Sequence, residues 1–350
     1  MKTDLDLYSD YLVVSFGQTT STGLSKLLDN SISHDDVTRF LTQTQGNSKS
    51  LWHEVKGLVR QIESDDGVLI IDDTIIEKAY TDVNGLISVH YDHSKDRYVQ
   101  GINLVSAIYQ SKGLQAPVCY ENVVKTLRCD LKDRKEIWKS ERTKNDIFRD
   151  LVSQTIRNQL SFRHLLCDSW YTNAENINHV LAFKKHLIGA VKSNLEVALS
   201  KEDRAAGKFQ KINQLKLSIG CQLVYMRSVN QPVLLCKDIF TNENGSEGIL
   251  YLISTDTTMT FQQIITTYQK RWGVEDYHKS LKNNTSIQKS PTKTLQTQAN
   301  HLFASLCAYI KLERLKIVKK INHFALKEKL YIKAIQASFA EFKNFKLNLA

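Results

Sequence analysis

Residues Gly67–Thr74 read GVLIIDDT. The apolar run Val68–Ile71 is short, opened by a glycine and closed by two acids. This is the pattern of a strand buried inside a sheet. It leaves Asp72 and Asp73 at the point where such a strand emerges from the core.

Outward from this strand, VQGINLVSAIYQSKG (99–113) and APVCYENVV (116–124) read as the next two strands, with Gly113 turning between them. TKNDIFRDLVSQTIRNQ (143–159) is helical, because Ile147, Leu151, Val152 and Ile156 share one face. RHLLCDSW (163–170) is a second short apolar strand closed by an acid. NAENINHVLAFKKH is a helix, and LIGAVKS (187–193) a strand. The order is β-β-β-α-β-α-β over 66–194, with antiparallel strands first.

Residues 195–257 form a β-rich insertion of CQLVYMRS, VLLCKDIF and ILYLIST, with TNENGSEG as the turn between the last two. Over 258–290, Thr260 and Gln263 make a capping-box pair and a helix runs to Lys282. Pro291 punctuates, and 291–350 is helical and basic. Residues 1–65 are helical as well. Ser33 and Asp36 cap a helix carrying Val37, Phe40 and Leu41, and GLSKLLDN before it could complete a DNA-binding helix-turn-helix. Short helix pairs of this kind also occur in ordinary cores.

The 350 residues carry a net charge of +10, unevenly placed. From Lys270 onward there are 16 Lys/Arg and 5 Asp/Glu, or +11, which leaves about −1 for the first 269 residues. A polyanion partner, nucleic acid first, is the functional reading, and a merely solubilising tail is the plain one. No run of about 18 apolar residues suggests a membrane span. The acidic start MKTDLDLYSDYLVV does not resemble a secretory leader. Six cysteines without a CxxC pair do not point to structural zinc, and reduced thiols in a cytoplasm are expected.

Asp73 follows VLII and Asp168 follows HLLC. Two aspartates at the ends of neighbouring strands can hold hard divalent cations through oxygen, although an Asp there also starts turns. A third carboxylate from a helix commonly completes such a site. The helix YQKRWGVEDYHKSLK (268–282) offers one. At about 100° per residue, Arg271, Glu275 and Lys282 fall within roughly 60° of Tyr268. Pairing of Arg271 with Glu275, and of Glu275 with Lys279, explains the charges alone. It does not explain their sharing a stripe with Tyr268 and Ile264.

The spacing Y-(2)-R-(3)-E-(6)-K, complete as Tyr268, Arg271, Glu275 and Lys282, resembles the signature of a large group of bacterial insertion-sequence DDE transposases. Asp72-Asp73-Thr74 with Lys78 resembles that family's first block, DDTxxxK, and Asp168 in LLCDSWY its second acid. The resemblance covers about 67–285. It implies an α/β, RNase H-like mixed sheet with a β-rich insertion, flanked by N- and C-terminal helical regions. It implies Asp73, Asp168 and Glu275 as catalytic ligands of two Mg²⁺, with Mn²⁺ a possible substitute. Asp72 is an alternative first ligand, and Asp73 is preferred because it directly precedes Thr. Tyr268, Arg271 and Lys282 would contact DNA near the cleaved phosphate. The reaction would be cleavage at the element's terminal inverted repeats, then attack of the 3′-hydroxyl on target DNA, both in-line displacements at phosphorus. A homodimer in a paired-end complex and a cytoplasmic, nucleoid-associated location would follow. Some relatives stack a flipped base on a Trp of the insertion. This chain has no Trp between Trp170 and Trp272, and Tyr225, Phe240 or Tyr251 could substitute.

Three other readings use the same residues. A non-catalytic DNA-binding protein derived from a transposase needs only the basic tail and helical head. An RNase H-like nuclease would cleave without end specificity or strand transfer. A carboxylate-pair glycosidase would need a raised acid, but Arg and Lys beside Glu275 work against that.

Overall fold

The computed structural model describes residues 3–93, 95–130, 136–242 and 245–347. Four helices come first: α1 (Leu5–Val14), α2 (Ser21–Leu27), α3 (His34–Gln43) and α4 (Ser48–Ile62). The Ser33–Asp36 capping box opens α3. Strands β1 (Val68–Glu77), β2 (Ser88–Asp92), β3 (Arg97–Ser111) and β4 (Leu114–Asn122) follow, then a two-stranded hairpin of β5 (Leu127–Asp130) and β6 (Glu136–Lys139). Next come α5 (Lys144–Arg157), β7 (His164–Cys167), α6 (Ala174–Ala182) and β8 (His186–Ala190).

β1 sits centrally because its run Val68–Ile71 is buried on both faces. It pairs antiparallel with β3, which pairs with β4, and parallel with β7, which pairs parallel with β8. The order β4-β3-β1-β7-β8 is the RNase H-like arrangement. The apolar runs located these strands. They missed β2 (SVHYD), a short strand of mixed polarity that pairs with the start of β3.

The insertion contains β9 (Glu196–Ala198), α7 (Lys201–Ala205), β10 (Gln210–Lys211), β11 (Gly220–Met226), β12 (Val233–Thr241) and β13 (Glu247–Ser254). β13 pairs antiparallel with β8, so these strands prolong the central sheet. In the expected TNENGSEG turn, residues 243–244 lie outside the described residues. Register sets Cys221 of β11 directly opposite Cys236 of β12, and the two form a disulfide. This corrects the expectation of reduced thiols for that pair: spacing in sequence gave no sign of a cross-strand pairing. Cys119, Cys167 and Cys307 are free and buried.

The chain ends in α8 (Phe261–Gln269), α9 (Gly273–Asn284), α10 (Leu295–Lys319) and α11 (His323–Leu347). One core cluster joins the sheet to α4, α5, α9 and α10. A second joins α1–α3 to Ala304, Ala308 and Leu312 of α10. The basic C-terminal region is therefore divided. Most of α10 is buried, whereas the Lys-rich α11 is largely exposed. Among the described residues no helix is long and apolar enough to cross a membrane.

Candidate active site

The expected single helix from Thr260 to Lys282 is broken. A 3₁₀ turn, Lys270–Trp272, separates α8 from α9. Gly273 lies where the chain presses on the sheet: a Cβ there would come within 2.2 Å of Gln110 Oε1 and 2.5 Å of Gln115 Nε2. The tightened turn also changes the stripe counted at constant pitch. Tyr268 is only 4 % exposed, and its hydroxyl donates to the carbonyl of Cys167 at 3.3 Å. It buttresses the residue before Asp168 and does not line the cleft. Glu275, close to it on the ideal wheel, has a side chain 68 % exposed.

Strand alternation sorts the acids. β1 and β7 pair Ile70 with Leu166, and continuing this register by two residues sets Asp72 beside Asp168. Asp72 also lies opposite Ser106, whose hydroxyl lies 3.5 Å from the buried Tyr277 hydroxyl of α9. Asp72 thus faces the helix that carries Glu275. Asp73 points to the other face, towards α5.

There, Lys144 Nζ lies 2.9 Å from both Asp73 oxygens. The Tyr171 hydroxyl donates at 2.7 Å and Asn103 Nδ2 at 2.9 Å. Burial alone would raise the Asp73 carboxyl, but Lys144 and these hydrogen bonds hold it below its usual range. Lys144 is placed by the Thr143–Asp146 capping box as the first residue of α5.

Asp72 is pushed up to about 7 by burial and by the carboxylates of Asp168 and Asp73. Asp168 is raised by burial, offset by the backbone N–H groups of Trp170 and Tyr171 that donate to its Oδ1 at 2.9 and 3.3 Å. Arg271 bridges the group, with Nη1 3.5 Å from Asp72 Oδ2 and 3.8 Å from Glu275 Oε1.

Asp72, Asp73, Asp168 and Glu275 line one cleft of about 410 Å³, together with Trp170, Tyr91, His93, Lys144, His278, Lys279 and Lys282. Burial and the neighbouring Lys282 press His278 down to about 3, so it is neutral, and its Nε2 is buried without a partner. Lys282 is lowered by burial and by Lys95. The oxygen-only carboxylate set suits a hard divalent cation. Among the described residues, however, no three such side chains converge closely enough to hold one ion. Arg271 and Lys144 supply positive charge instead.

The sequence singled out Asp73, Asp168, Glu275, Arg271 and Lys282, and the structure gathers all five in or beside this cleft. It adds Lys144, Asn103, Tyr171 and His278, for which no spacing was diagnostic. Lys78 is buried, and its Nζ donates to the carbonyls of Gln288 and Ser290 at 3.1 and 3.2 Å, tying β1 to the loop after α9.

A model of the family described as DDE superfamily endonuclease matches residues 1–208. That is more than half of the chain, and the protein belongs to this family. The match includes Asp72, Asp73 and Asp168 and ends before Glu275. No curated protein matches the chain. A solved structure titled "Drosophila P element transposase strand transfer complex" is similar over 97% of this chain and 86% of that one, at 11% identity and a TM-score of 0.27. At that score it bears on neither fold nor function here.

Proposed function

We propose that the protein is a transposase of the insertion-sequence type, cutting DNA at the ends of a mobile element and joining the freed 3′-hydroxyl to target DNA. The observation that carries this reading is the single cleft in which Asp72, Asp73, Asp168 and Glu275 meet Lys144, Lys279 and Lys282 on an RNase H-like sheet. Acids alone would repel a phosphodiester, and cations alone would bind it without chemistry.

Asp168 and one carboxylate of the Asp72–Asp73 pair, with the exposed Glu275 side chain turning in to complete the set, would hold two divalent ions, Mg²⁺ or Mn²⁺, which would activate the nucleophile and stabilise the leaving oxygen. Asp72 is the favoured member, since it stands beside Asp168 in register and shares Arg271 with Glu275. Asp73, preferred from the sequence, remains the alternative and is engaged by Lys144. Arg271 offers a planar fork to a phosphate, and Lys282 and Lys279 offer point charges along the strand. The N–H groups of Trp170 and Tyr171 hold Asp168 in one orientation. Tyr268 fixes the strand end beneath it. Pairing two element ends would call for a homodimer, and double-stranded DNA of the terminal repeats and target would be the substrates.

The test is nicking of duplexes carrying the DNA that flanks the gene on either side, with Mg²⁺ and with EDTA. Asp168→Asn and Glu275→Gln are expected to reduce nicking by at least about a thousandfold, the scale on which loss of preorganised charge stabilisation acts. Asp72→Asn should match them, with Asp73→Asn retaining more. Glu275→Ala cleaving like the parent, or cleavage surviving EDTA, would overturn the proposal. Nicking of any sequence without a strand-transfer product would identify an RNase H-like nuclease instead.

A further inference from the structure

One wall of the acid cleft is aromatic, and the chemistry above makes no use of it. Tyr91 of β2 lies directly opposite Tyr98 of β3 in the hairpin register. Their ring centroids are 5.1 Å apart at an interplanar angle of 70°. Tyr91 also meets His93 at 4.9 Å, edge to face, and His93 lies 6.2 Å from Trp170 at a tilt of 48°. Trp170 is two residues beyond Asp168 and its ring is covered on one side by Lys144 Nζ at 5.0 Å. The row runs continuously from the outer edge of the hairpin to the acids.

These rings are not core. Tyr98 is 73% exposed, Trp170 48% and Tyr91 38%. An edge-to-face contact covers the face of only one ring, so flat apolar surface stays open along the row. Lys144, Lys279 and Lys282 line the same cleft. Cations spaced beside open aromatic faces suit a chain alternating phosphate and planar base. Bases become available for stacking only where they are unpaired.

We propose that Tyr98, Tyr91 and Trp170 form a stacking shelf for unpaired nucleobases of a DNA strand whose phosphate enters the acid cleft. The shelf rests on the reading of the cleft as a DNA site, and it assigns the aromatic role to the β2–β3 hairpin and the loop after β7 rather than to the insertion. Stacking is indifferent to base identity, so the shelf favours a frayed or single-stranded end over a blunt duplex whatever its sequence.

The test uses the full-length protein in EDTA, so that no cleavage occurs. Binding is compared between a blunt duplex and the same duplex with a short single-stranded overhang containing 2-aminopurine. The parent should bind the overhang more tightly and quench 2-aminopurine fluorescence. Tyr98→Ala, at a residue outside the acid cleft, should weaken overhang binding about tenfold, leave blunt-duplex binding unchanged and abolish quenching. Trp170→Ala should abolish quenching and weaken overhang binding more than blunt-duplex binding. Trp170→Phe and Tyr98→Phe should retain most of both. Equal binding of the two probes by the parent overturns the shelf, as does a variant that loses both probes equally. Should Trp170→Ala fail to fold, the outlying Tyr98→Ala carries the same readout. Mg²⁺-dependent nicking without overhang preference would sink the shelf alone. Overhang preference without nicking would leave it standing while removing the transposase reading.

Discussion

Replacing Lys144 by Met should weaken the fold and strengthen its response to Mg²⁺. Lys144 Nζ sits 2.9 Å from both oxygens of Asp73, with side-chain exposures of 27% and 17% for the pair. Removing one partner of a fully buried ion pair costs about 3–5 kcal/mol. Here Tyr171 and Asn103 still donate to Asp73, and a quarter of Lys144 is in water, so a cost of about 2 kcal/mol follows. For a chain of this size that is on the order of 3 °C in melting temperature. With Lys144 gone, the cleft loses a positive charge and keeps the Asp73 carboxylate, so a dication held by the neighbouring acids meets a more negative site. The Mg²⁺-induced stabilisation, which grows as the logarithm of ligand over dissociation constant, should be larger in Lys144→Met than in the parent. The assay is thermal unfolding in EDTA and in millimolar Mg²⁺. A variant as stable as the parent in EDTA, or an equal Mg²⁺ shift in both proteins, would refute the reasoning.

Asp256 closes the sheet at the end away from the acids. It accepts from Arg163 Nη2 at 2.8 Å, His164 Nε2 at 3.0 Å and the Thr258 hydroxyl at 2.6 Å. Asp256→Asn should cost about 3 kcal/mol at pH 7, read by denaturant unfolding. Although burial works to raise it, these partners hold the Asp256 carboxyl well below its usual range. Its contribution is therefore present above the unfolded value near 4 and is lost as pH falls towards the folded one, so parent and variant should converge in acid. Lys78 is pressed by burial down to about 8. A lowered lysine binds its proton less tightly in the folded state, so the parent should gain stability relative to Lys78→Met between about pH 8 and 10.5; parallel stability–pH curves would contradict this. Tyr268→Phe keeps the buried ring and loses the hydroxyl with its bond to the Cys167 carbonyl. It should cost about 1 kcal/mol and slow nicking without weakening binding of end DNA by gel shift; a binding defect would instead favour direct DNA contact.

Much of the fold was legible because strands buried on both faces leave an unmistakable apolar run. VLII, HLLC and LIGA mark β1, β7 and β8, and their order is the order observed. β2 was missed because SVHYD carries no such run. The Cys221–Cys236 bridge was missed because it depends on register alone. Within the candidate site, the acids after the apolar runs and the Arg271–Glu275–Lys282 spacing were readable, although only Asp168 ends its strand, β1 continuing past Asp72 and Asp73 to Glu77 because Thr74–Glu77 still pair with β3. The place of Tyr268 was not, because counting at constant pitch assumes an unbroken helix, and the 3₁₀ turn at Lys270–Trp272 interrupts it.

By itself, then, the sequence determined most of the strands and helices and placed Asp168 at a strand end, since these follow from local apolar periodicity and capping chemistry; Asp72 and Asp73 instead lie within β1, which pairs with β3 as far as Glu77. The tertiary structure decided which acids share a face. Asp72 and Asp73 are adjacent and chemically identical, and nothing local distinguishes them. Pairing β1 with β7, and packing α9 on one side of the sheet and α5 on the other, sends Asp72 to Asp168 and Arg271 and Asp73 to Lys144. The physical reason is the two-residue alternation of a strand, which turns neighbouring side chains to opposite faces and leaves long-range packing to give each its partners.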